Sequence, residues 1–207
     1  MRDRPVQPIP HHRRAIFLDR DGTINVDTHY PYQIESLEFI PRTLHALALL
    51  AKLPLDIIVV SNQAGIALGI FTREQMSEFN RELQSRVEQA DGRIDAFYYC
   101  PHHEPKSLPL APPRCGCSKP APGMLFEAAR DFQLDLTKSF LIGDKTSDIA
   151  AGERAGCQTF LVKTGKAGRE EGALPVKPTY IVSDLYEAAE TVRSILQIRE
   201  DIFVSPY

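Results

Sequence analysis

Residues 13–27 read RRAIFLDRDGTINVD. Its short apolar run, residues 15–18, ends in two carboxylates, Asp19 and Asp21, which are followed at once by Gly22. Two like charges this close disfavour each other's ionisation and favour a bound cation. The pair is therefore typical either of a surface turn or of a functional site.

Four more apolar, β-branched or aromatic runs follow along the chain, and segments with helical periodicity lie between most of them. Continuous apolar strands that alternate with helices are typical of a parallel sheet covered on both faces. We therefore expect an α/β fold, a doubly wound parallel sheet with helices on both faces. The predicted strands are residues 15–18, 56–60, 96–99, 140–142 and 159–162.

The helical segments carry their own start and stop signals. Thr72 and Gln75 form a capping-box pattern at the start of one helix. The apolar stripe that follows at helical spacing is expected to pack in the core, and Gly156 is placed to end another helix as a C-cap. The stripe is Met76, Phe79, Leu83 and Val87, and the other predicted helices are residues 43–53, 122–132, 147–155 and 185–198.

The composition is that of an ordinary globular protein, with 43% hydrophobic and 25% charged residues in a chain of 207. We expect one domain over residues 14–198, a disordered leader over residues 1–13 and a tail over residues 199–207. A net charge of -3 argues against nucleic acid as a partner. No apolar stretch approaches the roughly 20 residues of a membrane span. We therefore expect a cytoplasmic protein without a membrane partner, and a monomer.

Polar side chains follow several of the predicted strands. In a parallel α/β sheet, ligands bind beyond the carboxyl ends of the strands, so these side chains are expected to meet at one rim. Carboxylate oxygens are the hard ligands that Mg²⁺ prefers. The residues at this rim are Asp19, Asp21, Ser61, Asn62, Asp144, Lys145 and Asp148, together with Lys119 just before the third predicted helix.

Three of the four cysteines lie in a proline-rich stretch, residues 100–117, that reads CPHHEPKSLPLAPPRCGC. Its prolines prevent a regular helix or strand. Three thiolates and one imidazole suit tetrahedral zinc, and a site with four protein ligands would be structural. Spacing favours His103 over His102, and the alternatives are reduced buried cysteines or a disulfide between Cys100 and Cys115. The expected zinc-binding loop thus contains Cys100, Cys115, Cys117 and one histidine.

Four motifs in order, FLDRDGT, Ser61, Lys119 and GDKTSD, resemble those of the haloacid dehalogenase superfamily of phosphotransferases. Within it, FLDRDGTINVD, SNQAGIALGIF, YYCPHH, CGCSKPAPGML and GDKTSD resemble the D-glycero-D-manno-heptose 1,7-bisphosphate phosphatase branch, which is similar to the phosphatase portion of histidinol-phosphate phosphatases. The resemblance covers nearly all of residues 14–162. It implies a Rossmann-like core, no large cap domain and a small zinc loop that uses His102.

The resemblance also implies a reaction, the Mg²⁺-dependent hydrolysis of the 7-phosphate of the heptose bisphosphate on the way to lipopolysaccharide precursors. Asp19 would be the nucleophile that forms an aspartyl-phosphate, and Asp21 the general acid and base. Asp19, Asp144 and the main-chain carbonyl of Asp21 would hold Mg²⁺, while Asp148 would buttress the loop. Ser61 would donate to the phosphoryl oxygens, and Lys119 would offset their charge.

The substrate is a small phosphorylated sugar on this reading, and one position departs from the branch. Ser118 stands where the branch usually has arginine, and a missing guanidinium removes a bidentate phosphate contact. The first alternative is therefore a histidinol-phosphate phosphatase or another small sugar-phosphate phosphatase. A zinc-stapled binding module without catalysis is a separate alternative, which conflicts with the intact catalytic motifs. The expected substrate-binding residues are Asp27, His29, Tyr30, Asn62, Ser118 and Lys145.

Overall fold

The computed structural model describes residues 13–103 and 115–203, with side chains up to residue 197. It contains one six-stranded parallel sheet, in the strand order β3-β2-β1-β4-β5-β6, which is the order of the Rossmann fold. The predicted α/β class and parallel sheet are confirmed. The strands are β1 Ala15–Leu18, β2 Asp56–Asn62, β3 Ala96–Cys100, β4 Phe140–Gly143, β5 Gln158–Val162 and β6 Tyr180–Val182.

Helices lie on both faces of the sheet, as predicted. Two short 3₁₀ helices, Ile34–Ser36 and Leu136–Lys138, were not predicted. In the described residues, the segment between β1 and the first helix holds only the first of these, so no large cap domain is inserted there. The helices are α1 Thr43–Leu50, α2 Arg73–Gln89, α3 Gly123–Phe132, α4 Thr146–Ala155 and α5 Leu185–Phe203.

The helices α3 and α4 begin within one residue of their predicted starts, and two helix ends differ from the prediction by more. α1 ends at Leu50, before its predicted end, because Pro54 disfavours helical backbone in the residue before it. After Leu50 the chain forms tight turns, in which Lys52 N–H donates to Leu49 O. α5 continues through Phe203, into the segment predicted as a tail. The predicted capping box of α2 is confirmed, and Gly156 caps α4 with φ +84°, as expected.

The core consists of two layers, one on each face of the sheet. All four residues of β1 are buried; Ile16 and Leu18 pack with α1, α2 and α5, whereas Ala15 and Phe17 pack with α3 and α4. Each large apolar side chain buried in this way contributes about 1.5–3 kcal/mol to folding. The continuous apolar run of β1 is thus explained by burial on both faces.

The sixth strand, β6, was not predicted from the sequence. It has only three residues, lies at the edge of the sheet against β5, and leaves Ile181 59% exposed. Such a short half-exposed strand lacks the apolar run that marks the central strands. In the described part of the chain, no helix combines the length and apolar character required to cross a membrane.

The order of the strands fixes the position of the site. β1 lies between β2 and β4 and is parallel to both, so their carboxyl ends meet at one rim. Asp19 N–H donates to Ile142 O at 2.9 Å, which extends the ladder by one residue beyond β1. Asp19 is therefore positioned by main-chain hydrogen bonding rather than by a mobile loop.

The capping box gives a test of the fold. In Thr72→Ala, α2 loses the acceptor for Gln75 N–H, and we expect the free energy of unfolding to fall by about 1 kcal/mol. Urea denaturation followed by circular dichroism measures the change. Thr72→Ser, which retains the hydroxyl, is the control and should stay within a few tenths of the original value; an equal loss in both variants would contradict the capping argument.

Candidate active site

Lys119 joins two carboxylates at the centre of the site. Its ammonium nitrogen lies 2.7 Å from Asp19 Oδ1 and 2.6 Å from Asp148 Oδ1, and it donates to Val60 O at 2.7 Å. All three charged side chains are at most 5% exposed. Burial alone would lower the pKa of Lys119, but the Asp148 and Asp19 carboxylates outweigh it and raise that pKa. Lys119 is therefore a fixed positive charge.

Asp19 remains a carboxylate despite its burial. Burial by itself raises the pKa of Asp19, but the ammonium groups of Lys119 and Lys145 outweigh that effect and lower it. Asp148 also holds the start of α4, since its Oδ2 accepts from Lys145 N–H at 3.0 Å. The buttressing position expected for Asp148 agrees with these contacts.

Asp144 lies behind Asp19 and is fully buried. Its Oδ2 accepts from Lys166 N–H at 2.7 Å, whereas its Oδ1 has no hydrogen-bond partner among the described residues. Burial, then the neighbouring Asp19 carboxylate, raises the pKa of Asp144 to about 8. Gly22, at φ +94°, passes so close that a Cβ there would collide with this carboxylate.

The residues around Asp144 fit a divalent cation. Carboxylate oxygens of Asp19, Asp144 and Asp148 lie within 4.8 Å of one another. Three carboxylates here face the two ammonium groups of Lys119 and Lys145, and one buried oxygen of Asp144 lacks a partner. A buried anionic oxygen without a partner is costly unless a cation or donor satisfies it. Oxygen donors alone are the set that suits Mg²⁺.

Asp21 and Ser61 lie at the same rim and share one neighbour. Gln63 Nε2 donates to Asp21 Oδ2 at 3.1 Å and to Ser61 Oγ at 2.7 Å. Because Ser61 Oγ accepts from Gln63, its own proton remains available for donation to a ligand. The side chain of Asp21 is 13% exposed and also pairs with Arg20.

Asn62 was predicted to bind substrate, but its amide contacts the main chain of Lys119. Its Nδ2 donates to Lys119 O at 2.9 Å, and its Oδ1 accepts from Lys119 N–H at 3.0 Å. The side chain therefore holds both the N–H and the carbonyl of the lysine. Substrate binding by Asn62 stays a prediction.

The other residues predicted to contact the substrate lie around the opening. Lys145 Nζ is 3.5 Å from Asp27 Oδ2, and Asp27 Oδ1 accepts from His29 N–H at 3.1 Å. His29 and Tyr30 are exposed, with φ near +60°. Ser118 is half-buried, and its N–H donates to Cys115 Sγ at 3.3 Å. Their contacts with a sugar stay predictions.

The predicted zinc ligands cluster in the structure, and His103 is not part of the cluster. Cys100 Sγ lies 3.5 Å from His102 Nδ1, 3.6 Å from Cys115 Sγ and 3.0 Å from Cys117 Sγ. Tetrahedral ligands about 2.3 Å from zinc are separated by roughly 3.5–3.8 Å, and a disulfide needs about 2.05 Å. The first two separations match those of zinc ligands, the 3.0 Å between Cys100 and Cys117 is shorter than that range, and all three are too long for a disulfide bond.

Sequence reasoning missed several residues of the site. Gln63, Arg20 and Ser147 lie within the recognised motifs, but no role was predicted for them; Gln63 and Arg20 contact Asp21, and Ser147 lines the opening. The loop after β5 contacts the segments that follow β1 and β4. Thr164 Oγ1 donates to Gly22 O at 2.7 Å, and Lys166 N–H donates to Asp144 Oδ2. The sequence TGKAG was the available signal, since its glycines adopt positive φ.

Comparison with known proteins agrees with this geometry. A family model described as HAD-hydrolase-like matches residues 116–188. The D-glycero-beta-D-manno-heptose-1,7-bisphosphate 7-phosphatase of Photorhabdus laumondii is 37% identical over 182 residues, which cover 87% of this chain and 96% of that protein. The protein of the same name from Salmonella typhi is 44% identical over 154 residues, which cover 73% of this chain and 81% of that protein.

Solved structures of phosphatases are also similar to this chain. The D,D-heptose 1,7-bisphosphate phosphatase of B. bronchiseptica, crystallised with magnesium and phosphate, has a TM-score of 0.77 at 28% identity and covers 88% of this chain and 99% of its own. A putative HAD-like phosphatase from Mesorhizobium loti has a TM-score of 0.72 at 36% identity, covering 90% of both chains. The chain therefore belongs to the haloacid dehalogenase superfamily, and within it to the family of the heptose-1,7-bisphosphate 7-phosphatases.

Proposed function

We propose that the protein is a Mg²⁺-dependent phosphomonoesterase that hydrolyses the 7-phosphate of D-glycero-beta-D-manno-heptose 1,7-bisphosphate. The observation that carries this proposal is the buried contact between Asp19 and Lys119 beside the unpartnered oxygen of Asp144. Relatives named for this activity match 73–87% of the chain, which supports the choice of substrate.

Asp19 is the nucleophile in this proposal. One of its oxygens attacks phosphorus and forms an O–P bond, while the bond between phosphorus and the sugar oxygen breaks; Asp21 gives that oxygen its proton. A water molecule then attacks phosphorus and loses a proton to Asp21, and the Asp19 O–P bond breaks. Inorganic phosphate leaves, and both carboxyl groups return to their starting states.

Groups of this chain that are held in place would stabilise the negative charge of the phosphoryl group. The Lys119 ammonium is held by three partners, so little reorganisation is needed when charge develops at the phosphoryl oxygens. The Ser61 hydroxyl donates to one of these oxygens. Asp19, Asp144 and the carbonyl of Asp21 would hold Mg²⁺, which when bound neutralises the dianion and orients it for in-line attack.

Zinc in the cysteine cluster has a structural role in this proposal. Four protein ligands leave no open coordination position. The cluster is linked to the catalytic lysine by one short path, because Cys115 Sγ accepts from the N–H of Ser118, which precedes Lys119. Binding of zinc by Cys100, His102, Cys115 and Cys117 would therefore fix the backbone from which Lys119 extends.

A second candidate substrate, histidinol phosphate, is favoured by one observation. Ser118 is half-buried beside the cysteine cluster and supplies no cation for a second phosphate. A substrate with a single phosphate has no need of that cation. The two candidates share the nucleophile, acid and lysine, so they differ only in recognition.

Replacement of the nucleophile tests the reaction itself. In Asp19→Asn, we expect phosphate release from the heptose bisphosphate to fall by at least about 10³-fold, because the amide cannot form the O–P bond. Asp91→Asn is the matched control, since Asp91 is exposed and its φ of +59° suits asparagine. Residual activity near the original level in Asp19→Asn would contradict the proposal.

A substrate panel tests recognition. With both anomers of the heptose bisphosphate and histidinol phosphate, we expect the β-bisphosphate to have the highest kcat/KM. Ser118→Arg should raise its kcat/KM by roughly tenfold relative to histidinol phosphate, through a bidentate phosphate contact. A higher kcat/KM for histidinol phosphate would favour the second candidate, and an unaltered ranking in Ser118→Arg would contradict our reading of position 118.

The metal content tests the cysteine cluster. Mass spectrometry of the purified protein should find about one zinc per chain, and Cys100→Ser should lose most of it. Cys157→Ser is the matched control, because Cys157 is also buried but lies outside the cluster. A zinc-free original protein, or equal loss in both variants, would contradict the assignment.

A further inference from the structure

Arg20, the residue between the two carboxylates of the first motif, is almost completely buried, at 1% exposure. Its guanidinium grips Asp21 with two parallel hydrogen bonds, Nε to Oδ1 at 2.9 Å and Nη2 to Oδ2 at 3.0 Å. Such a fork fixes both the position and the plane of the carboxylate. Lysine cannot reproduce it, since an ammonium group is a point charge.

The rest of the guanidinium is anchored by two other segments of the chain. Nη1 donates to Asn80 Oδ1 at 2.9 Å, and the group lies over the ring of Phe79, 4.7 Å from its centre, both in α2. Nη2 also donates to Pro31 O at 3.0 Å, in the loop that follows Asp27. Asp21 is thus tied through Arg20 to a core helix and to the loop at the opening.

Stability alone does not account for an arginine in this position. Desolvation of a buried ion pair consumes much of its Coulomb energy, and apolar residues of similar volume often serve the core as well or better. Phe79 belongs to the apolar layer on this face of the sheet, so an apolar side chain at position 20 would have had partners. A function in orientation explains the charge.

We infer that Arg20 is a positioning residue, which holds the Asp21 carboxylate in the orientation that proton transfer requires. This inference rests on the proposed role of Asp21 as the general acid and base. Arg20 acts through Asp21, whose two carboxylate oxygens it contacts. Because kcat/KM covers the steps up to formation of the aspartyl-phosphate, the effect of Arg20 on kcat/KM is confined to substrates whose leaving oxygen must receive a proton.

The leaving group provides a readout that a structural role would not move. The sugar oxygen is a poor leaving group and needs a proton, whereas 2,4-dinitrophenolate leaves without one. In Arg20→Met we expect kcat/KM to fall roughly 10–100-fold for the heptose bisphosphate and only a few-fold for 2,4-dinitrophenyl phosphate. Arg20→Lys, which keeps the charge but not the fork, should show nearly the same selective loss.

Two further variants separate the possible failures. Asp21→Asn should show the same selectivity at larger amplitude; if it affects both substrates equally, the proposed role of Asp21 fails and the inference with it. If only Asp21→Asn is selective and Arg20→Met is not, the inference alone is overturned. If Arg20→Met does not fold, Asn80→Ala serves instead, because it removes one anchor of the guanidinium. We then expect a smaller loss of kcat/KM that is confined to the heptose bisphosphate. A loss that is equal for both substrates, or no loss, would overturn the inference.

Discussion

The contact between the Lys119 ammonium and the carboxylates of Asp19 and Asp148 is the constraint around which the rest of the structure is arranged. A buried lysine is tolerable only when its charge is met on several sides, and here two carboxylates and the Val60 carbonyl do so. The Asp19 carboxylate and the Val60 carbonyl come from the ends of β1 and β2, Asp148 comes from α4, and Lys119 comes from the segment before α3. The sheet order, with β1 between β2 and β4, is what brings them together.

The central part of the fold was predictable because its signals are local. A parallel strand buried on both faces is expected to be apolar, and β1 and β4 satisfy that condition over their predicted lengths, as does β2 from Ile57 to Val60. The capping box at Thr72 likewise depends on only four consecutive residues. The edge strand β6 escaped prediction because its burial is partial, and partial burial leaves no continuous apolar run.

The site likewise contains residues that the sequence could predict and contacts that it could not. The carboxylates, Ser61 and Lys119 could be found because each follows a recognisable strand or motif, and the four motifs occur in order. The supporting contacts could not, since the link from Lys166 N–H to Asp144 joins two loops that only the folded sheet brings together. Asn62 shows the limit most clearly: the sequence places it at the rim, but only the structure shows that its amide holds the lysine backbone.

The cysteine cluster lies next to the segment whose backbone carries Lys119, and the conformational entropy lost on fixing that lysine gives this position a physical meaning. A lysine side chain gives up about 2 kcal/mol of rotamer entropy when it is immobilised, and its ammonium group stays at a fixed point only if the backbone that carries it is also held. Asn62 grips the Lys119 main chain on one side, and Cys115 Sγ accepts from the adjacent Ser118 N–H on the other. In the proposed reaction, the cluster would therefore act through geometry, by fixing the point from which the Lys119 charge reaches Asp19.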